Sequence, residues 1–185
     1  MDLRFEILFM LFSFQEKILL KEVKNGNQSA FSSLYNEYVD SLYRFILFRV
    51  SSPETAKDIT SDCFLRVFDF LANGSEIQNF RAFLFKVARR RIIDFYREKP
   101  KTVISLDEIE EANIASPKED LSLILEAKKI REIIFSLKEE YQEPVVLHYF
   151  EGFSWKEVSD ILDLPPATLR QRAHRGLEEL KQKLK

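Results

Sequence analysis

Glycine is scarce in this chain: 4 among 185 residues. Three sit beside polar residues at expected helix breaks, Asn25-Gly26, Asn73-Gly74 and Glu151-Gly152. Alternation of apolar and polar residues with period two is also missing, which argues against a sheet. One cysteine, Cys63, excludes a disulfide framework and a cysteine zinc site. It falls in an apolar helical stretch, where a buried inert thiol is the expectation. The two histidines, His148 and His174, lack partners at metal-ligand spacing. No nucleophile elbow, phosphate loop or metalloprotease signature occurs. These absences point to an all-α protein that is not an enzyme, with no cofactor and no small-molecule substrate.

The chain also lacks a membrane span. Its first fourteen residues, MDLRFEILFMLFSF, are apolar but interrupted by Arg4 and Glu6. They fall short of the ~20 residues a span needs and lack a secretory leader's pattern. A cytoplasmic protein is therefore expected. The stretch remains open to three readings: a packed helix, a partner contact, or sequence upstream of a natural start at Met10.

Charge is present but balanced to a net −2, and its distribution says more than its sum. From Arg81 to Lys101 eight bases face two acids, a local +6. From Thr102 to Glu126 seven acids face one base, a local −6. From Pro165 to Lys185 six bases face two acids, a local +4. Two basic patches separated by an acidic connector form an organised pattern that the net charge hides.

The most informative stretch is Ser154 to Leu184. Ser154 followed by Glu157 is a capping box opening a helix at Trp155. Leu162-Asp163-Leu164 breaks that helix, and Pro165-Pro166 restarts the chain with φ preset for a first turn. In the second helix Leu169, Ala173, Leu177, Leu180 and Leu184 share one face. The opposite face carries Ala167, Thr168, Gln171, His174 and Arg175, flanked by Arg170 and Arg172. Short polar groups in the centre meet base edges, and arginines at the rim meet phosphates. The alternative is a solvated helix closing an α-bundle.

Earlier in the chain, helices are expected over 15–24, with Ile18, Leu19 and Val23 inward, and over a longer segment built on Phe31, Leu34, Tyr35, Tyr38, Leu42, Phe45 and Ile46. Ser52-Pro53 opens another, with Ile59, Cys63, Val67 and Phe70 inward. The helix from Asn79 to Glu98 turns Phe80, Phe83, Leu84, Val87, Ala88 and Phe95 inward. Lys86, Arg89, Arg90, Tyr96 and Arg97 lie outward. Cations interleaved with an aromatic suit a single strand, neutralising phosphates and stacking bases; a solvated basic face is the plainer reading. Asp94 should order Arg90 and Arg97 by local pairing. Pro100 closes this helix and 101–116 reads as a flexible acidic linker. Ser116-Pro117 restarts helix, with Leu121, Leu125, Ile130, Ile133, Ile134 and Leu137 inward. A further helix, 143–150, has Pro144 near its start.

Three motifs in this order, AKDITSDCFLRVF, NFRAFLFKVARRRIIDFYR and LKEEYQEPVVLHYFEGFSWKEVSDILDLPPATLRQRAHR, resemble the ECF (extracytoplasmic function) sigma factors of bacterial RNA polymerase. The resemblance covers residues 15–185 and implies two small helical domains joined by the linker. It gives 15–100 the role of core polymerase and −10 element binding, and 117–185 that of a helix-turn-helix for the −35 element, leaving 1–14 as an extension of unknown role. It implies that Asp58, Asp62, Phe64 and Arg66 dock on the clamp helices of the largest subunit. Lys86, Arg89, Arg90, Tyr96 and Arg97, with the loop 72–78, would hold melted −10 strand. Thr168, Arg170, Gln171, Arg172, His174 and Arg175 would meet −35 duplex. The implied partners are core polymerase (clamp helices and flap), promoter DNA and a regulatory anti-sigma factor. The sequence departs from the family at Phe83 (often tryptophan), Arg90 (asparagine), Asp163 (glycine) and Pro165 (a capping residue), so DNA preference should differ from that of well-known relatives. A stand-alone dimeric helix-turn-helix repressor or activator would explain Ser154–Leu184 but not the basic-aromatic helix or the acidic linker; a partner-sequestering decoy that keeps the fold without the activity is a third reading.

Overall fold

The computed structural model describes residues 3–50, 52–98 and 132–183, with side chains from residue 14 onward. The described residues are helices, turns and loops, as the missing period-two pattern implied. The chain falls into two units, Met1–Thr102 and Val103–Lys185. The acidic segment 101–116, and Leu121, Leu125, Ile130 and Leu184, lie outside the described residues. No described helix is long and apolar enough to cross a membrane.

The first unit contains α1 (Leu3–Lys24), α2 (Gln28–Val50), α3 (Pro53–Ala72) and α4 (Phe80–Glu98). The helix expected to begin at Gln15 starts at Leu3. Helix α2 packs against the other three, and α3 also against α4. Ser52 opens α3 by accepting from the Thr55 N–H, with Pro53 at the first helical position. The interior is largely aromatic. Phe45 and Phe85 have centroids 5.1 Å apart, and Tyr38 and Phe80 5.5 Å. Buried Thr60 satisfies its hydroxyl on the Ala56 carbonyl at 2.7 Å.

Several expected inward residues sit elsewhere. Leu20 and Val23 are buried on α1, while Ile18 is exposed. On α3 Phe70 is exposed and Leu71 takes the inner position. The inner stripe of α4 is Phe80, Leu84, Phe85, Ala88 and Ile92, with Phe83 and Val87 only half-buried. The reason is shared: these helices are apolar over a wide arc, so spacing alone leaves the centre of the buried face uncertain by one residue.

The second unit contains a helical stretch over 132–135, then α5 (Glu139–Val145), a π-helical turn (Val146–Phe150), α6 (Trp155–Leu162) and α7 (Pro166–Lys183). The helix expected over 143–150 instead begins at Glu139, so Pro144 lies near its end and deletes one internal N–H bond. The widened turn that follows is closed by the Glu151 N–H on the Val146 carbonyl at 3.0 Å. Buried Gln142 donates to the Leu137 carbonyl at 2.9 Å, satisfying the end of the preceding helical stretch. Leu137, Tyr141, Val145 and Ala173 form the centre of the core, with Trp155 and Leu180 packed against them.

Candidate nucleic-acid interface

The capping box expected at Ser154 is formed. Ser154 accepts from the Glu157 N–H at 3.3 Å, and the Glu157 carboxylate accepts from the Ser154 N–H at 2.8 Å. Helix α6 stops at Asp163, whose φ of 55° is left-handed, a conformation that glycine adopts most readily. The Ser159 hydroxyl donates to the Leu164 carbonyl at 2.7 Å and fixes the turn. Helix α7 then leaves Pro165, whose carbonyl accepts from the Leu169 N–H at 3.2 Å.

Leu169, Ala173 and Gly176 form the buried stripe of α7. The fourth glycine, Gly176, lies within a helix and permits close approach. A β-carbon at Gly176 would lie 3.0 Å from Val145 Cγ2 and 3.1 Å from Tyr141 Cβ. With that face pressed on α5, Arg170, Gln171, His174 and Arg175 are exposed and Thr168 is half-buried. Arg172 behaves differently. Its guanidinium lies 3.1 Å from the Glu140 carboxylate on α5, so its charge is turned toward the bundle. His174 faces Glu178 one turn on, at 3.6 Å.

On α4, Arg90, Tyr96 and Arg97 are exposed, and Lys86 and Arg89 half-buried. Tyr96 is tethered as well as exposed: its hydroxyl donates to the Arg49 carbonyl at the end of α2, at 2.6 Å. Asp94 pairs with Arg91, at 3.6 Å, where sequence pairing had pointed to Arg90 and Arg97. Asn79 caps the helix locally, accepting from the Ala82 N–H at 2.9 Å.

The α3 residues expected to dock on polymerase divide into two kinds. Asp58 and Arg66 are exposed, but Phe64 is only 3% exposed and packs edge-on to Phe31 and tilted against Tyr35. It lies on the inner side of α3 beside Cys63, so it offers a partner little surface. Asp62 is shared between Arg66 on its own helix, at 2.8 Å, and Arg91 on α4. The Arg91 Nε is buried and close to Asp62 but misaligned for a hydrogen bond, so charge attraction carries that contact. Partial burial pushes the Asp62 carboxyl up, but the two guanidiniums outweigh it and hold its pKa below the usual 3.8. Cys63 is buried and its thiol is pushed up to about 12, mainly by burial, which makes it inert as expected.

Sequence reasoning missed Leu65, which is 63% exposed on the same side as Asp58 and Asp62. The signal was a leucine on the polar face of an amphipathic helix. It borders a shallow apolar groove of about 450 Å³ between α2 and α3, walled by Phe31, Tyr35, Phe64 and Phe68.

One unit carries a helix-turn-helix with an exposed polar and basic face, and the other a cation-rich helix with an exposed tyrosine, features that suit nucleic-acid binding. Comparison with known proteins is specific. The family described as sigma-70 region 2 matches residues 34–102, and that described as sigma-70 region 4 matches 127–180. RNA polymerase sigma factor SigZ of Bacillus subtilis is 31% identical over 152 residues, covering 82% of this chain and 85% of that protein. ECF RNA polymerase sigma factor SigW of the same organism is 28% identical over 182 residues, covering 90% and 95%. Among solved structures, the sigma factor RpoE in complex with the anti-sigma factor NepR, from Bartonella quintana, aligns with a TM-score of 0.65 at 20% identity. That alignment covers 83% of this chain and 96% of the other, a likeness of fold. The chain belongs to the sigma-70 family of RNA polymerase sigma factors and, within it, to the ECF group. It binds core RNA polymerase and promoter DNA and directs promoter-specific initiation at −35 and −10 elements.

Proposed function

We propose that these roles divide among the surfaces described above. Helix α7 enters the major groove of the −35 duplex, with Gln171 and Thr168 toward base edges and Arg170, His174 and Arg175 toward the backbone. Arg172 serves the same surface indirectly, holding α7 against Glu140. The loop 72–78 and the Lys86, Arg89, Arg90, Tyr96 and Arg97 face of α4 hold the melted non-template strand of the −10 element. Asp58, Leu65 and Arg66 dock on the clamp helices, with Asp62 ordering Arg66. Residues 15–100 and 117–185 act as the two binding domains and 101–116 as the acidic linker between them. The protein acts in the cytoplasm, is not itself an enzyme, and is held in check by an anti-sigma factor. The RpoE–NepR complex, a protein of similar fold bound to such a regulator, motivates that last element.

One observation carries this reading: two separate units, matched to regions 2 and 4, each present an exposed basic helix face. Run-off transcription with core polymerase on a random promoter library tests it. Selected templates should share two sequence blocks, at the −10 and −35 positions. A chain that fails to co-purify with core polymerase yet binds palindromic duplex alone would overturn the reading in favour of a dimeric repressor.

A further inference from the structure

Glu16 stands on α1, 64 residues before the start of α4, yet it is bound to that start. One carboxylate oxygen accepts from the Phe80 N–H at 3.0 Å, and the other from the Tyr38 hydroxyl at 2.7 Å. Phe80 is the first residue of α4, and its fully buried ring packs on Tyr38. The first N–H groups of a helix have no partner inside it, and an anion there is favoured by the helix dipole. Asn79 answers one of these groups from within the loop, on the Ala82 N–H. Glu16 answers another from a different helix. Burial, and then the bond to Glu16, push the Tyr38 phenol well above its usual 10, so it remains a donor.

A second tie lies two turns further on, at the C-terminal end of α1. Lys24 pairs at 3.0 Å with Glu76, which lies in the loop between α3 and α4. Glu76 is highly exposed, so this pair guides the loop more than it holds it. Helix α1 thus contacts both parts of the −10 reader, the loop and the helix that follows it.

We propose that Glu16 is a positioning residue for promoter opening: it fixes the start of α4, and with it the adjoining loop, in the pose that captures melted strand. This rests on the assignment of α4 and its loop to the −10 element made above. Glu16 touches no DNA in this scheme and acts through the Phe80 amide.

The test uses holoenzyme assembled from core polymerase and the full chain, on a promoter recovered by the library selection. Opening is read by permanganate reactivity of −10 thymines, and strand capture by binding of a fork-junction template with an exposed −10 single strand. Glu16→Ala should lower both about tenfold, the scale of one lost charge-assisted hydrogen bond, while co-purification with core polymerase is unchanged. Glu16→Gln should restore both to within about threefold, because its amide oxygen still accepts from Phe80 and its amide nitrogen can donate to the Tyr38 oxygen. Tyr38→Phe keeps the ring and the Phe80 bond and should cost about threefold.

Normal opening by Glu16→Ala would overturn the proposal. So would a Gln variant as defective as Ala, or an equal loss of core binding, which would mark general loosening of the unit. The Lys86→Ala/Arg89→Ala double variant separates the two layers of argument. If it opens DNA normally, the −10 assignment of α4 itself falls; if it is defective while Glu16→Ala is not, only the positioning role falls.

Discussion

The helices that carry the two basic faces, α4 and α7, each bury an apolar stripe but differ in what else holds them. To its stripe of Phe80, Leu84, Phe85, Ala88 and Ile92, helix α4 adds polar ties from other helices: Glu16 on its first amide, Asp62 on Arg91, and the Arg49 carbonyl on Tyr96. Helix α7 is fixed mainly by close contact, with Gly176 against Val145 and Tyr141 and the Leu169–Ala173 stripe fully buried. The difference suits the two tasks proposed for them. A reader of intact duplex needs a rigid, closely backed helix whose polar face stays free for base edges. A reader of melted strand must hold cations and an aromatic in a fixed pattern, and polar ties anchor such groups individually. Arg172–Glu140 is the exception on α7 and invites a direct comparison with its exposed neighbours.

The largest effect should come from filling the close approach. Gly176→Val gains little helix propensity and forces methyl groups against the Tyr141 β-carbon, which sits on the backbone of α5 and cannot swing aside. Overpacking of this kind costs ~2 kcal/mol. The chain has one tryptophan, Trp155, stacked on His148 at 3.9 Å in the second unit. Its fluorescence during urea unfolding should report the loss, with the first unit's transition, followed by circular dichroism, unmoved. If both transitions shift together, the two units are not independent and the contrast between them fails.

The complementary break is Asp62→Asn, which weakens a polar tie in the first unit. Both groups are partly exposed and screened, so the expected loss at neutral pH is ~0.5–1 kcal/mol. The carboxyl of Asp62 has its folded-state pKa held below the ordinary 3.8. Its contribution is therefore complete above that value and disappears as pH falls through the lowered one. The stability difference between wild type and Asp62→Asn should be constant from pH 7 to about pH 5 and shrink in more acidic urea titrations. The Trp155 transition should not change. A difference that persists into acid would show that packing, not charge, ties α3 to α4.

What could be read from the sequence follows the same division. Local signals survived intact: the Ser154–Glu157 capping box, the Ser52-Pro53 start, and the outward position of Gln171, His174 and Arg175. Each depends on residues within a turn or two of one another, where spacing fixes geometry. Ties between helices were not legible. Glu16 lies 64 residues from Phe80, and nothing in its neighbourhood marks it as a cap for another helix. Arg172 reads as a rim residue of the DNA-facing side because a helical wheel shows faces but no neighbours. Phe64 was drawn into the docking face by resemblance, although Cys63 beside it was already read as core. Gly176 gave no signal because glycine was read as a breaker, whereas close approach needs knowledge of the facing helix.

A smaller effect separates two of the three arginines of α7. Arg175 is exposed, whereas Arg172 is engaged by Glu140. Arg175→Ala should lower the salt dependence of holoenzyme binding to promoter duplex by ~0.9 in the log–log slope, one phosphate contact. Arg172→Ala should leave that slope nearly unchanged. Equilibrium binding measured across a salt series distinguishes them. An equal fall in slope for both variants would mean that Arg172 abandons Glu140 on DNA, and close packing alone would then hold α7.

The smallest effect lies in the turn that aims α7. Asp163 adopts φ 55° and ψ 40°, a left-handed conformation costing a non-glycine residue ~1 kcal/mol. Asp163→Gly removes that cost, while the greater freedom of glycine in the unfolded chain takes back part of the gain. The net result should be ~0.5 kcal/mol of added stability in the Trp155-reported transition. Because the Ser159–Leu164 bond holds the turn independently, the −35 sequence preference of the holoenzyme should not move. A changed preference would show that the turn residue, rather than the contact at Gly176, sets the angle at which α7 meets the groove.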